Sequence, residues 1–335
     1  MRRPPLAVAA ICVAAAITAG PGALAGPIDV RTRVIETFGG NAEADGRLAF
    51  LGGLVLSGPR DFGAWSGMLV DGDRFLAVND TGLWLTGRML IEDGRLAGVA
   101  DLELYPRRDE LGRPITSKRN GDAESLTRVP GGVLVAVETK PRIYFYPADG
   151  IDVDFEARAE RRDLLGQAAI GQLRRFGFEA LATTADGTVI AMAEGGPSRA
   201  KLLPAYRLPG KGFSLKREAD WSITGADMLP GGDMILLERR YGGGIDIGMR
   251  VRRIGSDAVD NATGTVDGPV LIEAGFASEI DNMEAIAATV EDGRLVLTMM
   301  SDDNHAFLQR TVMLRFAVRD PLPRPNPLRD GSQSG

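Results

Sequence analysis

One pattern of apolar and polar positions recurs along the chain. A short apolar strand leads into a tight turn bearing Asp-Gly or Gly-Gly. An almost unbroken apolar run follows and ends on an acid. Five copies align. Ser66-Gly67-Met68-Leu69 passes through Asp71-Gly72 to Phe75-Leu76-Ala77-Val78-Asn79-Asp80. Glu124-Ser125-Leu126 passes through Gly131-Gly132 to a run closing on Glu138, and Glu179-Ala180-Leu181 through Asp186-Gly187 to one closing on Glu194. Thr224-Gly225-Ala226 passes through Gly231-Gly232 and closes on Glu238. Glu284-Ala285-Ile286 passes through Asp292-Gly293 to Met300, with Asp302 just beyond.

Asp-Gly and Gly-Gly are strong hairpin signals because tight hairpin turns need positive φ. An apolar run without alternation predicts a strand covered on both faces. The phrases start at 66, 124, 179, 224 and 284, giving steps of 58, 55, 45 and 60 residues. Propeller blades repeat at roughly 40 to 50 residues, so this is blade spacing with inserted loops. Between phrases lie further hairpins, such as Trp84 to Ile91 turning at Asp93-Gly94 into Leu96 to Tyr105. The expected fold is therefore all-β, a β-propeller. Arg47 to Leu56 and Thr311 to Val318 belong to no phrase. Their pairing predicts a sixth blade that closes the ring and removes open sheet edges. A β-sandwich, or two all-β domains, is the competing arrangement, disfavoured by five repeats of one phrase. One helix is expected in an insertion near residues 161–174.

Composition adds a compartment. Arg2 and Arg3 precede the apolar stretch Leu6 to Ala19, and Ala23-Leu24-Ala25 reads as a cleavage site. This predicts a signal peptide over residues 1–25, with no membrane span after cleavage and a periplasmic or secreted protein. The propeller is expected over 26–320, followed by a disordered tail rich in Pro, Gly and Ser over 321–335. Cys12 is the only cysteine and lies in the signal segment, so the mature chain has no disulfide. Removing Arg2 and Arg3 from the 39 basic residues leaves 37 against 45 acids. Such a balance excludes nucleic acid and anionic lipid as natural partners. The expectation is a monomer that meets a small molecule.

The chemistry is read from equivalent positions in the repeat. The openers Ser66, Glu124, Glu179, Thr224 and Glu284 are placed near one rim of a central channel. Three carboxylates and two hydroxyls around an axis favour a hard divalent cation, and Ca²⁺ takes six to eight oxygen ligands. Asp80 and Asp302, at strand ends near the same rim, join Glu124, Glu179 and Glu284 as metal ligands. Lys118, Arg119, Lys140, Arg239 and Arg240 flank these acids and suit an anionic substrate. Strand-end acids also commonly satisfy turn backbones or pair with arginines. Burying several like charges together is costlier to explain that way. His305 is the only histidine, which excludes His-Glu-x-x-His zinc chemistry, and no Gly-x-Ser-x-Gly elbow occurs.

The phrases carry a resemblance as a set. It comprises Phe62-Gly63-x-x-Ser66-Gly67, Asp122-Ala123-Glu124-Ser125-Leu126, Phe178-Glu179-Ala180-Leu181, Leu236-Leu237-Glu238-Arg239 and Asn282-Met283-Glu284-Ala285-Ile286, then Ser301-Asp302-Asp303-Asn304. Over roughly residues 48 to 318 it resembles the phytase-like, "esterase-like activity of phytase" family of bacterial exported proteins. Where related sequences often carry Glu-Gly, this chain has Glu124-Ser125, Glu179-Ala180 and Glu284-Ala285. The resemblance implies hydrolysis of a phosphoester or other ester by water activated on a metal. Glu124, Glu179 and Glu284 would hold the metal, and Arg239 with its basic neighbours would grip phosphate. Two other readings stay open: a non-catalytic binding propeller with structural calcium, and a lactonase-type propeller.

Overall fold

Each hairpin marked by the sequence pattern is present, and each forms the inner half of an antiparallel sheet. The computed structural model describes residues 25–40, 47–196, 200–218, 220–243, 246–306 and 309–319. The expected signal segment up to residue 24 and the tail from residue 320 lie outside the described residues. Among the described residues no helix is long and apolar enough to cross a membrane.

Blade 1 runs outward through Trp65–Asp71, Arg74–Asn79, Leu83–Glu92 and Arg95–Pro106, with Gly26–Pro27 on its outer edge. Blade 2 is Ala123–Val129, Gly132–Val137 and Arg142–Asp149, extended by Asp152–Val153 and Glu160–Arg162. Blade 3 is Phe178–Thr183, Val189–Ala193, Leu202–Arg207 and Lys211–Lys216, with Thr265–Val266 added in parallel. Blade 4 is Ser222–Met228, Met234–Gly243, Asp246–Ile254 and Val270–Gly275. Blade 5 is Asn282–Glu291, Arg294–Asp302, Thr311–Val318, Leu48–Ser57 and Arg31–Ile35. The insertion helix is Gln167–Phe176.

The propeller has five blades, not the six expected from the sequence. The terminal strands do pair, from Thr311 opposite Leu56 to Val318 opposite Leu48. They have no inner hairpin of their own, however, and no blade can start without one. They serve instead as the third and fourth strands of the sheet that the last phrase begins.

The unbroken apolar runs are explained by the packing. Five apolar clusters lie one between each pair of neighbouring blades, including one between blades 5 and 1. Successive residues of a strand point to opposite faces, so each run feeds two clusters. Phe75 and Ala77 face the cluster shared with blade 5, whereas Leu76 and Val78 face that shared with blade 2. Leu236 and Leu237 divide in the same way between blades 3 and 5. Trp65, Trp84 and Trp221 are all buried. At the turns, Asp93-Gly94 and Asp292-Gly293 hold positive φ at both residues, the conformation of the tight hairpin type that favours this pair.

Candidate functional site

The five openers share a structural feature that the sequence does not display. In every inner hairpin the register slips by one residue near its start. The slips fall between Trp65 and Gly67, Ala123 and Ser125, Phe178 and Ala180, Ile223 and Gly225, and Met283 and Ala285. The unpaired residue is in turn Ser66, Glu124, Glu179, Thr224 and Glu284. A bulge bends its strand and re-aims the extra side chain. The next residue is small because inner strands nearly touch there. A Cβ on Gly225 would lie 2.8 Å from the Glu284 carbonyl oxygen, and one on Gly67 2.9 Å from the Leu126 nitrogen. Ser125 uses the same closeness to accept a hydrogen bond from the Leu181 N–H at 3.0 Å.

The second strands supply a second set of five. Asn79, Val137, Ala193, Glu238 and Met283's partner Ser301 occupy one register position. The residues that follow them are Asp80, Glu138, Glu194, Arg239 and Asp302. Reading Glu238 as the strand-ending acid of the fourth phrase was therefore one residue out of step. Glu238 is fully buried within blade 4, where its carboxylate accepts hydrogen bonds from Arg250 and Arg252. Arg239 takes the rim position instead.

Nine of these ten residues line one cavity of about 160 Å³; Thr224, whose hydroxyl donates to the Met283 carbonyl at 2.8 Å, does not. Lys118 and Asn304 complete the lining among the described residues. Seven carboxylates thus face two cations. Arg239 pairs with Glu284 Oε1 at 2.7 Å, donates to Glu194 Oε1 at 3.2 Å, and also donates to Asn282 Oδ1. Asn282 in turn donates to Glu284 Oε1 at 2.8 Å. Across the cavity, Lys118 donates to Asp80 Oδ2 at 2.5 Å.

So many carboxylates in so little water resist ionisation. Burial, and then the charges of Asp122, Glu284 and Glu138, push Glu124 well above the carboxylate range. Glu179 is raised by burial and by Glu124, Glu194 and Glu284, with Arg239 opposing. Burial lifts Glu284 to about 8 although Arg239 pulls it down, and lifts Asp302 to about 6 although the Asn304 N–H donates to it. Burial also raises Glu138.

The donor set fits a hard divalent cation. Ligand oxygens of Asp122, Glu124 and Glu138 lie within 4.8 Å of one another, and so do those of Glu138, Glu179 and Glu194. Two buried carboxylate oxygens on the cavity, Asp80 Oδ1 and Glu284 Oε2, have no hydrogen-bond partner. Both ligand groups are all-oxygen, the donor type that a hard divalent cation takes. Glu124, Glu179, Glu284, Asp80 and Asp302 all reach this cavity. Glu138, Glu194 and Asp122 were not among the ligands named from the sequence. The signal for the first two was their strand-end position opposite a bulged Glu. Asp122 lay within the Asp-Ala-Glu motif, but its carboxylate also accepts from the Thr139 N–H at 2.9 Å and the Thr139 hydroxyl.

The basic residues divide. Lys118 and Arg239 line the axial cavity. Arg240 lines a second cleft of about 860 Å³ beside it, stacked over Trp221 at 5.0 Å. Lys140 is exposed in a turn and lines neither cavity, because the chain reverses straight after Glu138 and leaves it in solvent. The side chain of Arg119 lies outside the described residues.

Fold and site together define a five-bladed propeller with an acidic pocket at one rim of its axis. The sequence matches the family described as "Phytase-like: Esterase-like activity of phytase" over residues 60–305, and the chain belongs to that family. Comparison with curated proteins found no match. Among solved structures, an endo-arabinase from Bacteroides thetaiotaomicron is similar at 11% identity and a TM-score of 0.44, covering 78% of this chain and 97% of the other. A mutant α-L-arabinanase from Cellvibrio cellulosa gives 13%, 0.42, 73% and 88%. The PQQ-bound aldose sugar dehydrogenase from Streptomyces coelicolor gives 11%, 0.40, 87% and 99%.

Proposed function

We propose that the chain is an exported, periplasmic or secreted hydrolase of a phosphoester or other ester, dependent on a divalent cation, with Ca²⁺ the first choice. It acts as a monomer on a small anionic or ester substrate, its single propeller held closed by the paired terminal strands. The observation that carries this reading is the convergence of seven carboxylates on a cavity of about 160 Å³ next to a much larger cleft.

Glu124, Glu138, Glu179 and Glu194 would hold the cation, with Asp122 behind Glu124. When bound, the ion supplies Lewis-acid polarisation of an ester oxygen and lowers the pKa of water. The remaining roles fall to the chain itself. Arg239 stands where cavity and cleft meet, since it lines both. From there it orients an anionic oxygen of the substrate. In the ion-free chain burial raises Glu284 to about 8, which favours a protonated carboxyl there. Its unpartnered Oε2 can hand that proton to a leaving oxygen. Lys118, fixed by Asp80, balances charge on the far side.

The test is turnover of p-nitrophenyl phosphate and p-nitrophenyl acetate with Ca²⁺, after chelation, and after readdition. Chelator-reversible turnover that Glu179→Gln abolishes supports the hydrolase. The engagement of Arg239 by Glu284, Glu194 and Asn282 favours the second reading, a binding propeller with structural calcium. Under that reading Ca²⁺ raises the melting temperature, Glu179→Gln removes the rise, and no ester is turned over.

A further inference from the structure

Blade 4 differs from the others in how far its central hairpin extends. The second strands of blades 1, 2 and 3 end at Asn79, Val137 and Ala193, and that of blade 5 at Asp302, all at the rim. Met234–Gly243 continues four residues beyond Arg239, still paired with Asp246–Ile254 through Arg240 opposite Gly248 and Tyr241 opposite Ile247. At ~3.3 Å per residue the hairpin stands about 13 Å above the rim. It forms one wall of the 860 Å³ cleft, and the start of blade 5 forms another.

Among the described residues, no neighbour covers the apolar surface of this wall. Tyr241 is 69% exposed and Phe276, just past the outer strand of blade 4, is 63% exposed; both line the cleft. Partly buried Ile247 and buried Ile280 continue the apolar lining. The same wall carries Arg240, its guanidinium 5.0 Å from the centre of the Trp221 ring and its Nε paired with Asp246 Oδ1 at 3.4 Å. Gly248 leaves room for that stack, since a Cβ there would come 2.9 Å from the Trp221 ring. Cleft and axial cavity share Glu194, Arg239 and Asn304, so a ligand can span them. The axial cavity admits little more than an ion and a small charged group. The cleft has the volume of an organic ligand site.

We propose that this cleft is a specificity subsite that selects esters carrying a flat, apolar group, an aryl ring above all, next to the anionic centre. Naming its ligand as substrate rests on the hydrolase reading, but the selectivity can be measured without turnover. The ring lies against Tyr241 and Phe276, and the anion is presented to Arg239 with Arg240 beside it. A polyol or short alkyl group leaves the two aromatics wet and gains little from the site.

The test is calorimetric binding of phenylphosphonate and methylphosphonate, neither of which is hydrolysed, in the presence of Ca²⁺. The full chain should bind the phenyl compound at least about tenfold more tightly. In the Tyr241→Ala/Phe276→Ala variant that preference should shrink to within about twofold, with methylphosphonate affinity and melting temperature unchanged. Equal binding of the two probes, binding of neither, or a preference that survives the double substitution overturns the proposal. If the preference appears and is erased as expected but no ester is turned over, the subsite stands and the hydrolase reading falls.

Discussion

Blades 3 and 4 place different chemistry in the same two positions. Blade 3 offers Glu179 on its bulge and Glu194 at the end of its second strand; blade 4 offers Thr224 and Arg239. Blades 2 and 3 are acidic at both positions, and their four glutamates make up most of the two tight ligand groups. Blade 4 turns its hydroxyl inward to the Met283 carbonyl and sends a cation to the rim. It keeps its own acid behind the rim, where Glu238 joins Arg250 and Arg252, each at most 2% exposed. A repeat therefore supplies equivalent addresses around an axis, and one dissenting blade makes the ring asymmetric. Without that asymmetry a substrate anion would meet, among the described lining residues, seven carboxylates and the single cation Lys118.

The largest effect should come from the dissenting blade's interior. Glu238→Gln leaves Arg250 and Arg252 without their shared buried carboxylate and should cost about 3–5 kcal/mol in denaturant unfolding. Ser301→Ala, at the same register position in blade 5, loses hydrogen bonds to the Arg310 carbonyl and the Val312 N–H and should cost about 1–2 kcal/mol. Equal losses would mean that the buried charge is not what sets blade 4 apart.

Next in size is the cation at the rim. Arg239→Ala should lower kcat on a phosphoester by about 100-fold or more while Ca²⁺ binds more tightly, because a competing positive charge has gone. A variant that weakens Ca²⁺ binding would place Arg239 in support of the ligands rather than of the substrate. Glu179→Gln in blade 3 should act in the opposite sense. Thermal stabilisation by Ca²⁺, about 2.7 kcal/mol at a hundredfold excess over Kd, should be lost with it.

A smaller effect follows from pH. Asp302 at about 6 and Glu284 at about 8 both lie above their unfolded values, so the folded chain binds more protons than the unfolded one. Their contribution is complete below the unfolded pKa, near 4. It is lost as pH rises through about 6 for Asp302 and about 8 for Glu284. Melting temperature in chelator should therefore fall between about pH 4 and about pH 8. Ca²⁺ should flatten that fall, and Glu284→Gln should remove its upper half. The smallest change is expected from Thr224→Val, about 1 kcal/mol for one hydrogen bond, with turnover intact.

Much of this was legible in the primary structure because blade packing demands it. The Asp-Gly and Gly-Gly turns and the two-faced apolar runs can be met only by strands between two neighbours, and that marks both hairpins and blades. Glu124, Glu179 and Glu284 stood out because one phrase repeats around them. What stayed hidden depended on register. Nothing in Leu237-Glu238-Arg239 says which of the two charges faces the rim, since one step along a strand reverses the face. Nor could the phrase-less termini be assigned to an existing sheet rather than a new one, because long-range pairing has no local signature.

The sequence by itself determined the propeller, its repeated hairpins and the acids at their openings, because turn chemistry and apolar periodicity are local. Only the tertiary structure decided the number of blades, the aim of each rim side chain and the raised wall of blade 4. Those depend on five bulges and on pairings between residues more than two hundred positions apart, as Leu56 and Thr311 are. No short stretch of chain encodes such distances.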